Sequence, residues 1–328
     1  MHNNKMKLLV PATMARAGWD VVKGRADIEA IPFEFNLSTS AFHALLGDVH
    51  GIALGLTPFA EAELQAAPNL RVVARIGVGY DNVDVPTLTA RNIPLMVTGI
   101  ANSPSVAEKA LFFMLALAKR GAAMHAMVRD GRWADRFNDF PLDLFEKTVL
   151  VVGFGRIGTR ISNACLALGM TVLVYDPYVA AEAITAAGCV PVGDLDDALG
   201  RVDFVTIHCP RNTETNGMFN AARFARMKPS AYLVNTARGG IVDEVALNAA
   251  LTGGSIAGAG LDVFDQEPPL PDNPLPGLPN VITAPHMAGV TAEALDRMCA
   301  AAVQNLLDVL DGKPNMDHVI NKEVISRS

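Results

Sequence analysis

Cysteine is scarce in this chain. The four present among 328 residues, Cys165, Cys189, Cys209 and Cys299, lie far apart with no CxxC spacing, which argues against a zinc site or a disulfide framework. No basic excess exists either. The formal charge is −7 and no basic block occurs, so nucleic acid and anionic membrane are poor partners. Long apolar runs are also missing. The longest, Ala110–Ala118, is too short to cross a bilayer. The N-terminal stretch MHNNKMKLLVP holds only Leu8, Leu9 and Val10 before Pro11, which predicts no signal peptide. No short-period repeat and no low-complexity linker is visible. These absences point to a cytoplasmic, reduced protein, with no metal, nucleic acid or membrane among its partners.

Half of the residues are apolar and about a fifth are charged, which suits a globular protein with ample core. The length exceeds one ordinary hydrophobic core, so two domains are expected. Short β-rich runs alternate with helical patterns. Lys7–Val10, Ile31–Phe35, Gly51–Leu54, Leu70–Ile76 and Pro94–Val97 read as strands. Ala41–Leu46, Phe59–Ala66 and Pro86–Ala90 read as helices between most of them. One long helix is predicted over Ser103–Asp130. A second series of strands follows at Thr148–Val152, Thr171–Tyr175, Phe204–His208, Ala231–Val234, Ala257–Leu261 and Val281–Thr283. A helix over Thr291–Leu310 then stops at Gly312-Lys313-Pro314. This alternation predicts parallel sheets with helices on both faces. The Pro-rich stretch Glu267–Pro279 is a long loop, and loops of that length in compact domains are usually functional.

The stretch TVLVVGFGRIG, residues 148–158, runs from a strand into Gly153-x-Gly155-x-x-Gly158 and a helix. Gly153 permits the tight turn, Gly155 lets the backbone approach a pyrophosphate, and Gly158 lets helix and strand pack closely. The helix N-terminus offers free N–H groups and a positive dipole end to phosphate. The next strand ends in VLVYDP, placing Asp176 where a carboxylate would accept both ribose hydroxyls and repel a 2′-phosphate. NAD is therefore expected over NADP. A plain Gly-rich turn with Asp176 as a cap leaves the combined spacing unexplained.

Three further strand ends carry chemistry. AYLVNTARGG presents Arg238, whose planar fork of donors suits a carboxylate; alone, it reads equally as a strand-end arginine paired with a surface acid. AGAGLDVFDQEP leads from Asp262 to a loop bearing Glu267, and VITAPHMAG carries His286. A guanidinium, a carboxylate and an imidazole thus leave one edge of one sheet, the edge that also carries the glycine loop. Pro285 keeps the residue before it extended and stops the apolar run.

These segments resemble the D-isomer-specific 2-hydroxyacid dehydrogenase family, which includes phosphoglycerate, glyoxylate/hydroxypyruvate and D-lactate dehydrogenases. The resemblance covers nearly the whole chain. It rests on ARIGVGYDNVD (74–84), NSPSVAE (102–108), VVGFGRIG (151–158), HCPRNTET (208–215), NTARGG (235–240), GAGLDVFDQEP (258–268) and PHMAG (285–289). It implies an α/β fold of two Rossmann-like, doubly wound parallel-sheet domains with the active site in the cleft between them. Residues 1–100 plus 289–328 would form a discontinuous substrate domain, and 101–288 the NAD-binding domain.

The implied catalytic set is Arg238, Glu267 and His286. His286 would exchange a proton with the substrate oxygen, a task suited to an imidazole because it titrates near neutrality. Glu267 would fix its tautomer and favour its protonated form. Arg238 would bind the substrate carboxylate and polarise the carbonyl, with the backbone of Val78 and Gly79 as a second anchor. Cofactor contacts implied by the resemblance are Val106, Phe154, Arg156, Ile157, His208, Cys209, Pro210, Thr215, Thr236, Ala237, Arg238, Asp262, His286 and Gly289, besides Gly153, Gly155, Gly158 and Asp176. A homodimer is implied, with an arm near residues 121–146. Trp133 in that arm serves packing or a contact across the dimer.

The implied reaction is hydride transfer between a nicotinamide and a small 2-oxo or D-2-hydroxy acid. Gly55 stands near the place where phosphoglycerate dehydrogenases carry an arginine, and no regulatory domain is expected beyond residue 328. Both points favour a glyoxylate- or hydroxypyruvate-like substrate over 3-phosphoglycerate, although Arg75 could still meet an anion. Lys109 replaces a histidine common after the SVAE glutamate, on a helix where little consequence is expected. The position of Glu267 carries no glutamine, which sets the formate branch aside. An NAD-sensing binding protein, like the family's transcriptional corepressors, is the reading from another class. The full Arg238–Glu267–His286 set argues against it. Cys209 is expected to be structural. His43, His50, His125 and His318 show no partner pattern, and His2 is expected to be disordered.

Overall fold

The computed structural model describes residues 5–326, so His2 lies outside the described residues. The first stretch of chain forms strands β1 (Met6–Pro11), β2 (Ile28–Phe33), β3 (Gly51–Leu54), β4 (Val72–Arg75) and β5 (Leu95–Met96). Helices α1 (Arg16–Val22), α2 (Thr39–Leu46), α3 (Glu61–Ala66) and α4 (Val85–Ala90) lie between them. Helices α5 (Ser103–Ala118) and α6 (Gly121–Arg129) lead to β6 (Thr148–Val152), α7 (Arg156–Ala167), β7 (Thr171–Tyr175), α8 (Ala181–Ala186) and β8 (Val190–Pro191). Next come α9 (Leu195–Leu199), β9 (Phe204–Ile207), α10 (Ala221–Phe224), β10 (Tyr232–Asn235) and α11 (Glu244–Thr252). Then β11 (Gly258–Leu261), β12 (Val281–Thr283) and α12 (Ala292–Leu310) complete the order.

The chain divides into two units. Unit 1 runs to Asn102 and resumes at Val290, and unit 2 is Ser103–Gly289. In unit 1 five parallel strands are ordered β2-β1-β3-β4-β5. Alternate side chains leave opposite faces of a strand, and both faces of this sheet are covered. Leu9, Ile52, Leu54 and Val73 meet Phe42, Leu46, Leu64 and Leu88 from α2, α3 and α4. Leu8, Val10, Val72 and Ala74 meet Ala302, Val303 and Leu306 of α12. Ser38, Asp84 and Thr291 cap α2, α4 and α12 by accepting amides of the first turn.

Unit 2 holds seven strands, ordered β12-β11-β10-β9-β6-β7-β8, all parallel. The order reverses between β6 and β9, the doubly wound arrangement that binds dinucleotides at its switch point. Val149 and Val151 pack on one face with Phe113 and Ile161, from α5 and α7. Leu150 and Val152 pack on the other face with Leu199 and Leu247, from α9 and α11.

Two expectations about elements need correction. The single helix over Ser103–Asp130 is two helices, bent by 53°. Arg120 takes a positive φ of 52° between them, and α6 buries none of its side chains whereas α5 buries nine. The strand expected at Ile31–Phe35 begins earlier, at Ile28, because an edge strand paired only with β1 tolerates Pro32. Helix α1 and the two-residue edge strand β8 had no distinct signal. Among the described residues, no single helix is long and apolar enough to cross a membrane.

Candidate active site

Because the unit 2 strands are parallel, their C-terminal ends form one rim. Gly153 follows β6, Asp176 follows β7, His208 follows β9, and Arg238 lies just beyond β10. Asp262 follows β11, and His286 lies three residues beyond β12. The sequence-predicted polar residues of unit 2 therefore share the ligand edge of an open α/β sheet.

At the switch point, Gly153 has φ of +94°, and a Cβ there would lie 2.7 Å from the Cys209 amide nitrogen. Only glycine combines that backbone with that approach. A Cβ on Gly158 would lie 2.0 Å from the Gly153 carbonyl oxygen, so the helix sits directly on the turn. Gly155 faces open space and caps α7 without any side-chain hydrogen bond. Phe154, Arg156 and Ile157 complete the turn and the first helical residues. The Asp176 carboxylate accepts the Phe154 amide at 2.7 Å and the Tyr178 amide at 2.9 Å. The Tyr178 hydroxyl donates to Glu214, which adds a second carboxylate beside this loop. Thr215 donates to the Pro210 carbonyl at 2.7 Å and accepts the Asn212 amide at 2.8 Å, closing the loop after β9.

Two buried polar atoms on neighbouring strand ends have no hydrogen-bond partner among the described residues: His208 Nδ1 and Thr236 Oγ1. Burial lowers the His208 pKa to about 3, so the ring is neutral. Burial likewise pushes the Cys209 thiol up to about 11, which removes it as a thiolate nucleophile. A cradle open at Gly155, the N-terminus of α7 and two orphaned polar atoms fit a dinucleotide along this rim.

The catalytic candidates of unit 2 come together through backbone contacts. Asn235 donates to the Arg238 carbonyl at 2.9 Å and accepts the Ala237 amide at 3.0 Å, forming the turn that carries Arg238. A Cβ on Gly239 would lie 1.8 Å from the Phe264 carbonyl oxygen, so the arginine loop presses on the loop bearing Glu267. The Gly240 amide donates to Asp265, joining the same two loops. Arg238 Nη1 donates to the Ala237 carbonyl at 2.7 Å. Glu267 accepts the Phe264 amide through Oε1 at 3.1 Å and meets His286 Nδ1 through Oε2 at 2.6 Å. The pair is partly open, with side-chain exposures of 36% and 44%.

His286 adopts a positive φ of 52°, a conformation that costs an L-residue roughly 1 kcal/mol. Asp262 holds it there. The Asp262 carbonyl accepts the His286 amide at 2.7 Å, and its carboxylate accepts the amides of Met287 at 2.9 Å and Ala288 at 2.8 Å. Burial pushes the Asp262 carboxyl up, and the two amides act against that. Asp262 is thus the cradle of the histidine turn that ends at Gly289. Neither this role nor that of Asn235 was recognised from sequence, although an Asn at a strand end before small residues is a turn signal. Val106 is buried on α5.

In unit 1, Val78 and Gly79 lie in the turn after β4, where Gly77 has φ of +147°. The buried Arg75 donates to the Gly79 carbonyl and the Leu54 carbonyl, both at 2.9 Å. Those two bonds tie the turn after β4 to the end of β3. Three histidines without a sequence pattern have partners: His43 meets Glu63, His50 accepts the Lys7 amide, and His318 meets Asn305.

Residues 111–288 match the family model described as D-isomer specific 2-hydroxyacid dehydrogenase, NAD binding domain. Over 251 residues the chain is 41% identical to the D-3-phosphoglycerate dehydrogenase of Archaeoglobus fulgidus, covering 76% of this chain and 47% of that protein. It therefore spans about half the length of the phosphoglycerate dehydrogenases it matches. Over 274 residues it is 39% identical to the glyoxylate reductase of Thermofilum pendens, covering 82% and 80% of the two chains. The crystal structure of D-lactate dehydrogenase from Aquifex aeolicus, complexed with NAD and lactic acid, matches with a TM-score of 0.83 and 27% identity over 96% and 99% of the two chains. Its strand order, its glycine loop and these matches agree, and the chain belongs to the D-isomer specific 2-hydroxyacid dehydrogenase family, with residues 111–288 as an NAD-binding domain.

Proposed function

We propose that this protein reduces a small 2-oxo acid to the D-2-hydroxy acid with NADH, and catalyses the reverse oxidation. The observation that carries the reading is the 2.6 Å His286–Glu267 pair, set on the Asp262-held turn beside the Arg238 loop. Unit 2 is the cofactor domain and unit 1 the substrate domain.

Gly153, Phe154, Gly155, Arg156, Ile157 and Gly158 would hold the pyrophosphate, and Asp176 the adenosine ribose. The acidic charges of Asp176 and Glu214 disfavour a 2′-phosphate, which selects NAD over NADP. His208, Cys209, Pro210, Thr215, Thr236, Ala237 and Asp262, with Val106 and Gly289, would line the rest. The nicotinamide supplies the hydride that adds to C2 of the oxo acid. Arg238 binds the substrate carboxylate as a two-point fork and draws charge toward the carbonyl oxygen. Backbone amides of Val78 and Gly79 offer a second anchor. Glu267 holds Nδ1 of His286, leaving Nε2 to deliver one proton to the carbonyl oxygen. Hydride plus proton converts the 2-oxo acid to the 2-hydroxy acid, and in oxidation His286 takes the proton back. The substrate side chain carries no charge, as in glyoxylate and hydroxypyruvate, and no phosphate of the kind 3-phosphoglycerate bears.

Trp133, Phe137, Phe140 and Phe145 are each more than 60% exposed in the segment after α6, which supports a homodimer arm. Light scattering at twice the chain mass of 34.8 kDa checks this. The reaction is tested by following NADH consumption with glyoxylate, pyruvate and hydroxypyruvate. Absence of turnover with all three and with longer 2-oxo acids, or clear preference for NADPH, would refute the assignment or its cofactor.

A further inference from the structure

A cavity of about 850 Å³ opens in unit 1 at the C-terminal ends of β1, β2 and β3. Strand order reverses there, between β1 and β3, where open α/β sheets place ligands. Its wall is aromatic: Phe33 packs against Phe42 with ring centroids 5.5 Å apart and against the edge of Phe35 at 6.0 Å. Phe35 is 50% exposed and Leu56 85% exposed, so large apolar side chains are held at this rim instead of entering the core. One exposed leucine means little, but these side chains share one concavity. Gly55 makes room for the wall, since a Cβ there would lie 2.8 Å from Phe35 Cε1.

The charge of the cavity is one-sided. Glu34 and Glu63 line it, and no arginine, lysine or histidine does among the described residues. Burial opposes ionisation of Glu63, but the His43 ring and the Ala60 amide overcome it and hold the carboxyl below its ordinary value. An anionic side chain entering here would meet carboxylates in a wall that carries no basic side chain, the His43 ring lying behind Glu63 and not in the lining.

The cavity is tied to the carboxylate anchor. Arg75 bonds the carbonyl of Leu54, next to Gly55 and Leu56, and the carbonyl of Gly79 in the anchor turn. Ile76 lines the cavity and donates its amide to Leu54 at 2.8 Å. We infer that this cavity receives the substrate's side chain and that the enzyme prefers 2-oxo acids with an apolar, uncharged chain longer than that of pyruvate. The inference rests on the function proposed above, in which Val78 and Gly79 anchor the carboxylate.

The test is a chain-length series of glyoxylate, pyruvate, 2-oxobutanoate and 2-oxopentanoate, with 2-oxoglutarate and 3-phosphohydroxypyruvate as charged counterparts. Burial of each methylene is expected to raise kcat/KM about fourfold, on the order of fifty-fold from glyoxylate to 2-oxopentanoate, and both charged acids fall below pyruvate. Leu56→Ser, at a site too exposed to disturb folding, lowers the 2-oxopentanoate to pyruvate ratio severalfold. A flat or falling series, a preference for either charged acid, or an unchanged ratio in Leu56→Ser overturns this inference while the proposed function stands. No turnover with any acid overturns both.

Discussion

The rim of the unit 2 sheet ends in ionisable and hydrogen-bonding side chains, and nearly every one is held by a backbone group. Asp176 holds Phe154 and Tyr178, Asn235 holds the Arg238 turn, and Asp262 holds the His286 turn. The rim of the unit 1 sheet, built on the same parallel plan, ends in phenylalanine, leucine and glycine around a cavity. One buried guanidinium, that of Arg75, fixes its polar turn. One architecture is divided between two tasks. Proton transfer and carboxylate binding require groups fixed within tenths of an ångström, so the backbone supplies many bonds to hold them. Selecting a side chain by size and charge requires shape and the absence of basic groups, which apolar packing supplies more cheaply.

The largest expected effect would break this division if it failed. His286→Ala removes the proton donor from the unit 2 rim and should lower kcat by about 10²–10⁴. NADH binding, read by fluorescence titration, should change little. Leu56→Ser on the unit 1 rim should cost less than tenfold with any single substrate. Equal losses in the two variants would mean that the rims do not divide chemistry from selection.

The unit 2 rim was also the more legible of the two in sequence. The glycine spacing, Asp176, Arg238, Glu267 and His286 each follow a run that reads as a strand, so their shared edge followed from the alternation of strands and helices. The bonds that hold them were not legible. Asp262 lies at a strand end and gives no sign that its two oxygens reach amides 25 and 26 residues later. Unit 1 gave less. Its cavity depends on Phe35 lying over Gly55, a contact between residues on adjacent loops that no periodicity marks. The break at Arg120 was hidden for another reason. Gly121 beside it is a poor helix former, but one glycine in a run of good helix formers does not mark a break, and burial on α5 but not on α6 decides where the helix turns away.

A positioning effect should be smaller than removal of the donor. Asp262→Asn keeps one acceptor oxygen but sets its amide group against the N–H of Met287 or Ala288. Leaving one buried donor unpaired costs about 1–3 kcal/mol, so the His286 turn should populate other conformations. Steady-state kinetics should show kcat lower by about tenfold to a hundredfold, with KM for the 2-oxo acid close to that of the parent protein. A fall in KM affinity with kcat unchanged would show that Asp262 serves binding, not the placement of His286.

The smallest effect concerns stability, and it separates the units by their histidines. In unit 1, His43, His50 and His318 each have a ring nitrogen in a hydrogen bond. In unit 2, the His208 ring bonds Thr206 at 2.8 Å, and its buried Nδ1 has no partner among the described residues. Burial depresses its pKa from 6.5 to about 3. Between those values the unfolded chain takes up a proton that the native ring refuses, so the native state loses stability as pH falls through that window. His208→Gln keeps a polar side chain that cannot become an imidazolium and should flatten this loss. Melting temperatures at pH 7 and pH 5, measured without cofactor, should drop by a few degrees less in the variant than in the parent protein. Hydrogen exchange at pH 5 should place the protection regained by the variant in β6, β9 and β10, with unit 1 unaffected. An equal drop in both proteins would mean that other groups set the acid sensitivity, and the contrast between the rims would then lie in chemistry alone.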